Sequence, residues 1–475
     1  MSERTYDLVV IGAGPVGENV ADRAAQGGLS VAIVESELVG GECSYWACMP
    51  SKGLLRAGAA IRAAKAVDGA KQAVTGEIDV AGVLRRRDTL TSDWNDASQV
   101  EWLQGAGVDL VRGHGRLAGE KRVEVTGSDG AVTTLIANHA VAVCTGSAAL
   151  LPGVPGLAEV SPWTSREATA VQEVPGSLAI VGGGVVAAEM ATAFVDLGSD
   201  VTLIARSRLL GPMEPFAGDL VGQSLTDRGA RVLLHTGLVS ARRVDDGQVE
   251  LELSNGTHVR ADEVLVATGR VPRTDDLGLD AVGLEPGSWL DVDDTMLVRG
   301  SDWLYAVGDV NHRALLTHQG KYQARAAGDV IVARATGGTV DDAPWGAHVA
   351  TADHAAVPQV TFTDPEVASI GETEASARAA GRRIRVLDYD LSAIAGASTR
   401  SDAYTGQARA IVDEDRGVLI GATFVGADVG ELLHSATIAV VGEVPLARLW
   451  HAVPSYPTLS EVWLRFLETY GRPTA

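Results

Sequence analysis

Three observations predict an α/β protein with two Rossmann-like dinucleotide-binding domains followed by a C-terminal α+β dimerisation domain. A strand, a glycine-rich turn and a helix succeed one another between Asp7 and Gln26. The same order recurs between Ser177 and Leu197. From about Ala350 the texture changes to strands and two helices with no third glycine turn. A chain of 475 residues is also too long for one ordinary core, so three or four domains are expected.

The first unit opens on the apolar run Asp7-Leu8-Val9-Val10-Ile11, as a strand buried on both faces requires. Gly12, Gly14 and Gly17 follow at fingerprint spacing, then a helix to Gln26 and a second strand, Ser30–Val34, ending at Glu35. Glycines allow a tight turn and close backbone approach, the helix start receives a pyrophosphate, and the acid accepts a ribose hydroxyl. In the second copy, Leu178–Val181 leads to Gly182, Gly184 and Ala187, then a helix through Leu197 and a strand, Asp200–Ile204. Here the strand end carries Arg206 and Arg208 in place of an acid. Arginine pairs with a 2′-phosphate that a carboxylate would repel, so this copy reads as an NADPH site, with NADH the lesser candidate. The first copy reads as a site for a nucleotide without that phosphate, such as FAD. The bland alternative for the arginines is a pair of solvated loop charges.

Between the copies, strands and turns from Gly113 to Val143 end in Cys144-Thr145-Gly146. A parallel phrase ends in Thr268-Gly269-Arg270. Each delivers a small residue and a glycine back toward the nucleotide of its own domain. Leu304–Val307 reads as a strand ending at Gly308-Asp309, placed to hold a flavin's ribityl chain. In the C-terminal part, Val357–Phe362, Ala408–Val412 and Val418–Val425 read as strands, and Gly430–Val441 and Ser460–Tyr470 as helices. Its apolar positions make it the candidate dimer interface.

Composition narrows the class. The 39 basic and 61 acidic residues leave a net charge of −22, which argues against nucleic acid or an anionic membrane as the main partner. No apolar run reaches spanning length, the N-terminus carries no secretory pattern, and three cysteines suit a reducing compartment. A soluble cytoplasmic protein is expected. No metal ligands are assigned.

Two of those cysteines, Cys43 and Cys48, lie five positions apart, followed by Pro50, Ser51 and Lys52. A close pair beside a nucleotide site in a reducing compartment suggests electron transfer. Five residues of regular helix advance about 7.5 Å, beyond the ~4.4–6.8 Å a disulfide tolerates between Cα atoms. A bridge therefore needs Cys43 in a distorted first turn or before it.

With both nucleotide motifs, Gly40-Gly41-x-Cys43-x4-Cys48-x-Pro50-Ser51-Lys52, Gly308-Asp309 followed by Thr317, and Val357–Ile370 in place, the chain resembles the flavoprotein disulfide reductases over its whole length. These include mercuric reductase, dihydrolipoamide dehydrogenase and glutathione reductase. The resemblance implies an FAD-binding domain in residues 1–150 and 273–349, an NAD(P)H-binding domain in 151–272 and an interface domain in 350–475 of a homodimer. It implies that Cys48 faces the flavin and Cys43 the substrate, and that Lys52 and Glu189 pair near the flavin. Gly41, Gly115, Thr145, Gly146, Gly308, Asp309 and Thr317 would line the FAD site, and Gly269 the nicotinamide domain. Electrons would run from NADPH through FAD to the cysteine pair. Val185 and Arg206 match mercuric reductase best, yet the sequence through Leu467–Ala475 lacks that enzyme's C-terminal cysteine pair.

One departure is chemical. The family's C-terminal histidine, partner of a glutamate, is here Tyr456 in Tyr456-Pro457-Thr458, while Glu461 is kept. Histidine exchanges a proton near pH 6.5 and tyrosine near 10, a mismatch worth roughly 5 kcal/mol against a base at pH 7. His451 is an alternative base, against an ordinary helix-end histidine. Tyr45 and Trp46, between the cysteines, either narrow the pocket and offer a stacking face or pack on a neighbouring strand. The expected activity is therefore NADPH oxidation with a non-standard acceptor: a quinone, a metal ion or an unusual small disulfide. The alternatives are a conventional low-molecular-weight disulfide reductase, or a flavin-bearing redox sensor with little turnover.

Overall fold

The computed structural model describes residues 2–472; Met1, ahead of the expected first strand, and Pro473–Ala475 lie outside it. The chain forms two compact units. Among the described residues, one is built from 2–50, Asp88–Leu150 and Arg270–His354, the other from Ser51–Arg87, Leu151–Gly269 and 355–472.

In the first unit, six strands line up as Val108–Arg112, Val31–Glu35, Ser2–Ile11, Val132–Val143, Arg122–Thr126 and His114–Leu117, and Leu304–Ala306 pairs with Val132–Val143. The centre is parallel: Leu8 sits opposite Val31 on one side and Ala140 on the other. Leu8, Val9, Val10 and Ile11 are buried, which explains their unbroken apolar run. The helix Pro15–Gln26 covers this sheet with Gly17, Val20, Ala21 and Ala24. A 20-residue helix, Thr317–Thr336, packs along it.

The second unit holds a four-stranded parallel sheet, ordered Arg231–Leu233, Asp200–Ile204, Ser177–Val181 and Glu263–Val266. The helix Val185–Asp196 buries eight of its twelve residues beside it. A three-stranded antiparallel sheet spans Leu238–Ala261. The C-terminal part folds as a five-stranded antiparallel sheet, ordered Pro358–Thr361, Glu366–Gly371, Val418–Gly426, Gly406–Asp413 and Ile384–Asp390. Its central strand, Val418–Gly426, is buried throughout. Among the described residues no helix is long and apolar enough to cross a membrane.

Candidate active site

The first glycine turn is held by backbone geometry. Gly12 has φ +101°, and a Cβ there would lie 2.5 Å from the carbonyl oxygen of Cys144. The expected return of the Cys144-Thr145-Gly146 phrase to this turn is thus a direct contact. Gly14 faces Gly41 across a gap so narrow that a Cβ on Gly41 would lie 2.9 Å from the Gly14 Cα. The Glu35 carboxylate accepts from the Ala13 N–H at 2.8 Å and the Glu37 N–H at 2.7 Å, while burial pushes its acidity down. Gly115 lies in the strand His114–Leu117 against Val34 and Ile11.

The Thr145 hydroxyl is buried without a partner. The Asp309 carboxylate accepts from the Ser147 hydroxyl at 2.5 Å, and the Gly308 N–H donates to Gln323 at 2.8 Å. A glycine cradle, an unpartnered buried hydroxyl and a carboxylate at a strand end fit the pyrophosphate, flavin and ribityl parts of FAD.

Cys43 lies in a short helix, Gly41–Tyr45, and Cys48 opens a separate helix, Cys48–Lys65. Trp46, at φ −137°, breaks the helix between them. This break meets the geometric demand that the five-residue spacing imposes on a bridge. The hydrogen bond to Cys48, then burial, hold the Cys43 thiol well above its ordinary range, with Thr317 and Lys321 opposing. The Cys48 sulfur lies 3.3 Å from the Thr317 hydroxyl. Tyr45 turns inward: its hydroxyl donates to the Val39 carbonyl at 3.0 Å and its ring is buried. Trp46 stays half-buried.

In the second unit Lys52 Nζ and Glu189 Oε2 form an ion pair at 2.8 Å. The other Glu189 oxygen accepts from the Phe362 N–H at 2.9 Å, and the Lys52 ammonium lies 4.7 Å above the Phe362 ring. The second glycine turn repeats the first. Gly182 has φ +147°, and a Cβ there would lie 2.2 Å from the Ala267 carbonyl, just ahead of Thr268-Gly269. Gly184 faces open space, and Ala187 is buried. Of the two arginines, Arg208 donates to the carbonyls of Gly211 and Met213 at 2.5 and 3.1 Å. Arg206 is exposed, with its stem against Gly237.

Tyr456 is 76% exposed. Glu461 is buried, with Oε1 at 3.4 Å from Arg465 and Oε2 unpartnered. No hydrogen bond joins Tyr456 to Glu461. His451 is exposed at the end of the Leu446–Leu449 helix. No cluster of three or more potential metal ligands occurs among the described residues.

Sequence reasoning missed four charged residues of the first unit. Glu42, next to Cys43, pairs with Arg273 at 2.9 Å. Glu18 is buried on the first helix, and Lys321 stands one turn after Thr317. The signal in hand was an acid at the unassigned position just before Cys43.

The family model for pyridine nucleotide-disulphide oxidoreductases matches residues 6–334, and that for the dimerisation domain of the same family matches 357–465. Mercuric reductase of Staphylococcus aureus is 31% identical over 463 residues, covering 96% of this chain and 81% of that protein. Dihydrolipoyl dehydrogenase of Halobacterium salinarum is 32% identical over 482 residues, covering 97% and 95%. Among solved structures, the Cu(II) complex of the HOCl-induced flavoprotein disulfide reductase RclA from Escherichia coli superposes with TM-score 0.84 at 22% identity, covering 98% of this chain and 99% of that one. LpdA from Mycobacterium tuberculosis gives 0.82 at 24%, covering 99% and 100%. The fold and the close cysteine pair agree with these family models. The chain belongs to the pyridine nucleotide-disulphide oxidoreductase family, whose members are FAD-dependent and use NAD(P)H.

Proposed function

We propose that this protein oxidises NADPH and passes the electrons through Cys43 and Cys48 to a non-standard acceptor: a quinone, a metal ion or an unusual small disulfide. The observation that carries the reading is Glu461, kept and buried with one oxygen unpartnered, while its histidine is replaced by an exposed tyrosine. A conventional disulfide acceptor leaves as a thiolate and needs a proton at that point, which an ordinary tyrosine supplies poorly near neutrality and cannot take back.

FAD, when bound, accepts two electrons from a nicotinamide and delivers them to a disulfide. The chain's own residues set up that transfer. Gly12, Gly14, Gly17 and Gly41 leave room for its pyrophosphate, Glu35 for a ribose, and Thr145, Gly146, Asp309 and Thr317 for the flavin portion. Cys48 heads an 18-residue helix, whose N-terminus favours a negative sulfur. Lys52 and Glu189 are assigned from the resemblance as the ion pair beside the flavin. Gly182, Gly184 and Ala187 admit the nicotinamide nucleotide, and Arg206 is assigned its 2′-phosphate because Arg208 is committed to backbone carbonyls.

The test is a steady-state screen of quinones, metal ions and small disulfides with NADPH and NADH, on wild type, Cys43→Ser and Tyr456→His. The expected results are turnover with a non-disulfide acceptor or an unusual disulfide, and a rise of ~10²-fold or more in ordinary disulfide reduction for Tyr456→His. Efficient reduction of glutathione- or lipoamide-type disulfides by wild type, unchanged in Tyr456→His, would establish the conventional reading instead. Quinone turnover that survives Cys43→Ser would remove the cysteines from that path.

A further inference from the structure

The helices Gly41–Tyr45 and Cys48–Lys65 follow one another with a single break at Trp46–Ala47. In an unbroken helix the Tyr45 carbonyl would accept from the N–H four residues on, at Met49. Such a helix would set Cys43 and Cys48 about 7.5 Å apart along its axis, outside the ~4.4–6.8 Å that a disulfide tolerates between Cα atoms. Pro50 weakens continuity by removing one helical bond, that to the Trp46 carbonyl, but a kinked helix can run through a proline. What engages the Tyr45 carbonyl therefore decides whether the cysteines can bridge.

That carbonyl is engaged from outside the helix. The Trp94 indole N–H donates to it at 3.2 Å. Trp94 closes a turn in which Ser92, Asp93 and Trp94 have φ of +51°, +52° and +54°. Left-handed backbone is unfavourable for each of them, most of all for the bulky Trp94. Three such residues in a row persist only where surrounding contacts over-determine them. Those contacts are present. The Trp94 N–H donates to the Thr91 carbonyl and the Asn95 N–H to that of Ser92, each at 2.9 Å. Beyond the turn, the Asp96 carboxylate accepts from the Val39 N–H at 2.8 Å, and Gln99 Nε2 donates to the Ser44 hydroxyl at 3.3 Å. A Cβ on Gly40, at φ +109°, would lie 2.2 Å from the same Gln99 nitrogen. Residues 92–99 thus meet the Cys43 helix at its approach, its body and its last carbonyl, all within the first unit.

We propose that Trp94, with Gln99 beside it, is a positioning residue for the cysteine pair. By engaging the Tyr45 carbonyl and the Ser44 hydroxyl, the two side chains hold Gly41–Tyr45 apart from Cys48–Lys65, the arrangement in which Cys43 and Cys48 can bridge. The left-handed turn is the cost of aiming the indole. Without the indole N–H, the Tyr45 carbonyl takes the Met49 N–H, the two helices merge across the break, and the disulfide loses stability against the dithiol.

This rests on the reading of Cys43 and Cys48 as a redox pair. The experiment equilibrates the FAD-loaded protein, without oxygen, in mixtures of oxidised and reduced dithiothreitol, and reads the dithiol fraction by mass after alkylation. In each mixture the protein S–S bond breaks and two S–H bonds form. The two electrons and two protons come from dithiothreitol, which closes its own disulfide ring. Trp94→Phe keeps a ring and removes the donor. Its equilibrium should move about tenfold toward the dithiol, the weight of one hydrogen bond, or about 30 mV for a two-electron couple. Asp93→Gly relieves one strained residue and keeps the indole, so it should equilibrate like wild type. FAD content, read from visible absorbance, certifies each variant. Equal equilibria in wild type and Trp94→Phe overturn the proposal. A tenfold shift in Asp93→Gly as well would assign the effect to the stiffness of the turn and overturn the role of the indole. If Trp94→Phe does not retain FAD, Gln99→Leu decides: it should move in the same direction, and a wild-type equilibrium there overturns the proposal. If wild type forms no Cys43–Cys48 disulfide in any mixture, the redox-pair reading falls and this proposal with it.

Discussion

Arg206 and Arg208 stand two positions apart at the end of one strand, yet their surroundings separate them. Arg208 brackets a turn by donating to two carbonyls, so its loss should weaken the fold locally. Arg206 is exposed and free to meet an anion. A charge-assisted hydrogen bond to phosphate is worth about 1.5–3 kcal/mol. Arg206→Ala should therefore raise the KM for NADPH about 10- to 100-fold and leave that for NADH nearly unchanged, as initial-rate kinetics would show. Equal effects on both nucleotides would remove Arg206 from the 2′-phosphate. The sequence placed both arginines at the right strand end. It could not divide their roles, because the carbonyls of Gly211 and Met213 reach Arg208 only once the loop is folded. Tyr45 and Trp46 teach the same lesson: the spacing left both open, and burial turned Tyr45 into the core.

At the scale of elements, the glycine turns were the most legible feature. The strand and helix bounds on either side of them agree with the structure to within a residue or two, except that the first strand begins at Ser2, ahead of its apolar run, since a parallel strand buried on both faces must be apolar without interruption. Gly12 meets two constraints at once, a positive φ and a carbonyl 2.5 Å from any added Cβ. Strain of roughly 1–3 kcal/mol from the backbone alone is expected for Gly12→Ala. That variant should purify with little or no FAD, by absorbance at the flavin band; full occupancy would show that the turn can relax. The helix Thr317–Thr336 was not read as a helix. Its glycines, Gly320 and Gly328, look like breakers locally, and only the packed neighbour explains them, because any Cβ there would strike Val16 or Arg23. The broken helix between the cysteines was anticipated from bond geometry, whereas its two-helix form was not.

For the whole molecule, the exposed apolar side chains Ile438, Val441, Val453 and Tyr456 all lie in the region matched by the dimerisation domain, Val453 at 84% exposure. A monomer rarely leaves such groups in water without use. The protein should run as a homodimer in light scattering, and Ile438→Asp combined with Val453→Asp should shift it to monomer. A wild-type monomer at micromolar concentration would contradict this. The net charge of −22 per chain adds repulsion between copies, so dimer affinity should rise with salt.

By itself the sequence determined the fold class, the family, the two glycine turns, the close cysteine pair and the tyrosine at position 456. All of these are written in local patterns: apolar periodicity, glycine spacing and residue identity at fixed offsets. The tertiary structure alone decided which arginine is free, which aromatic is core, and that Glu18 is a buried carboxyl with an unpartnered oxygen. Those properties depend on burial and on contacts between residues hundreds of positions apart, and a carboxylate's behaviour is set by what surrounds it rather than by where it stands in the chain.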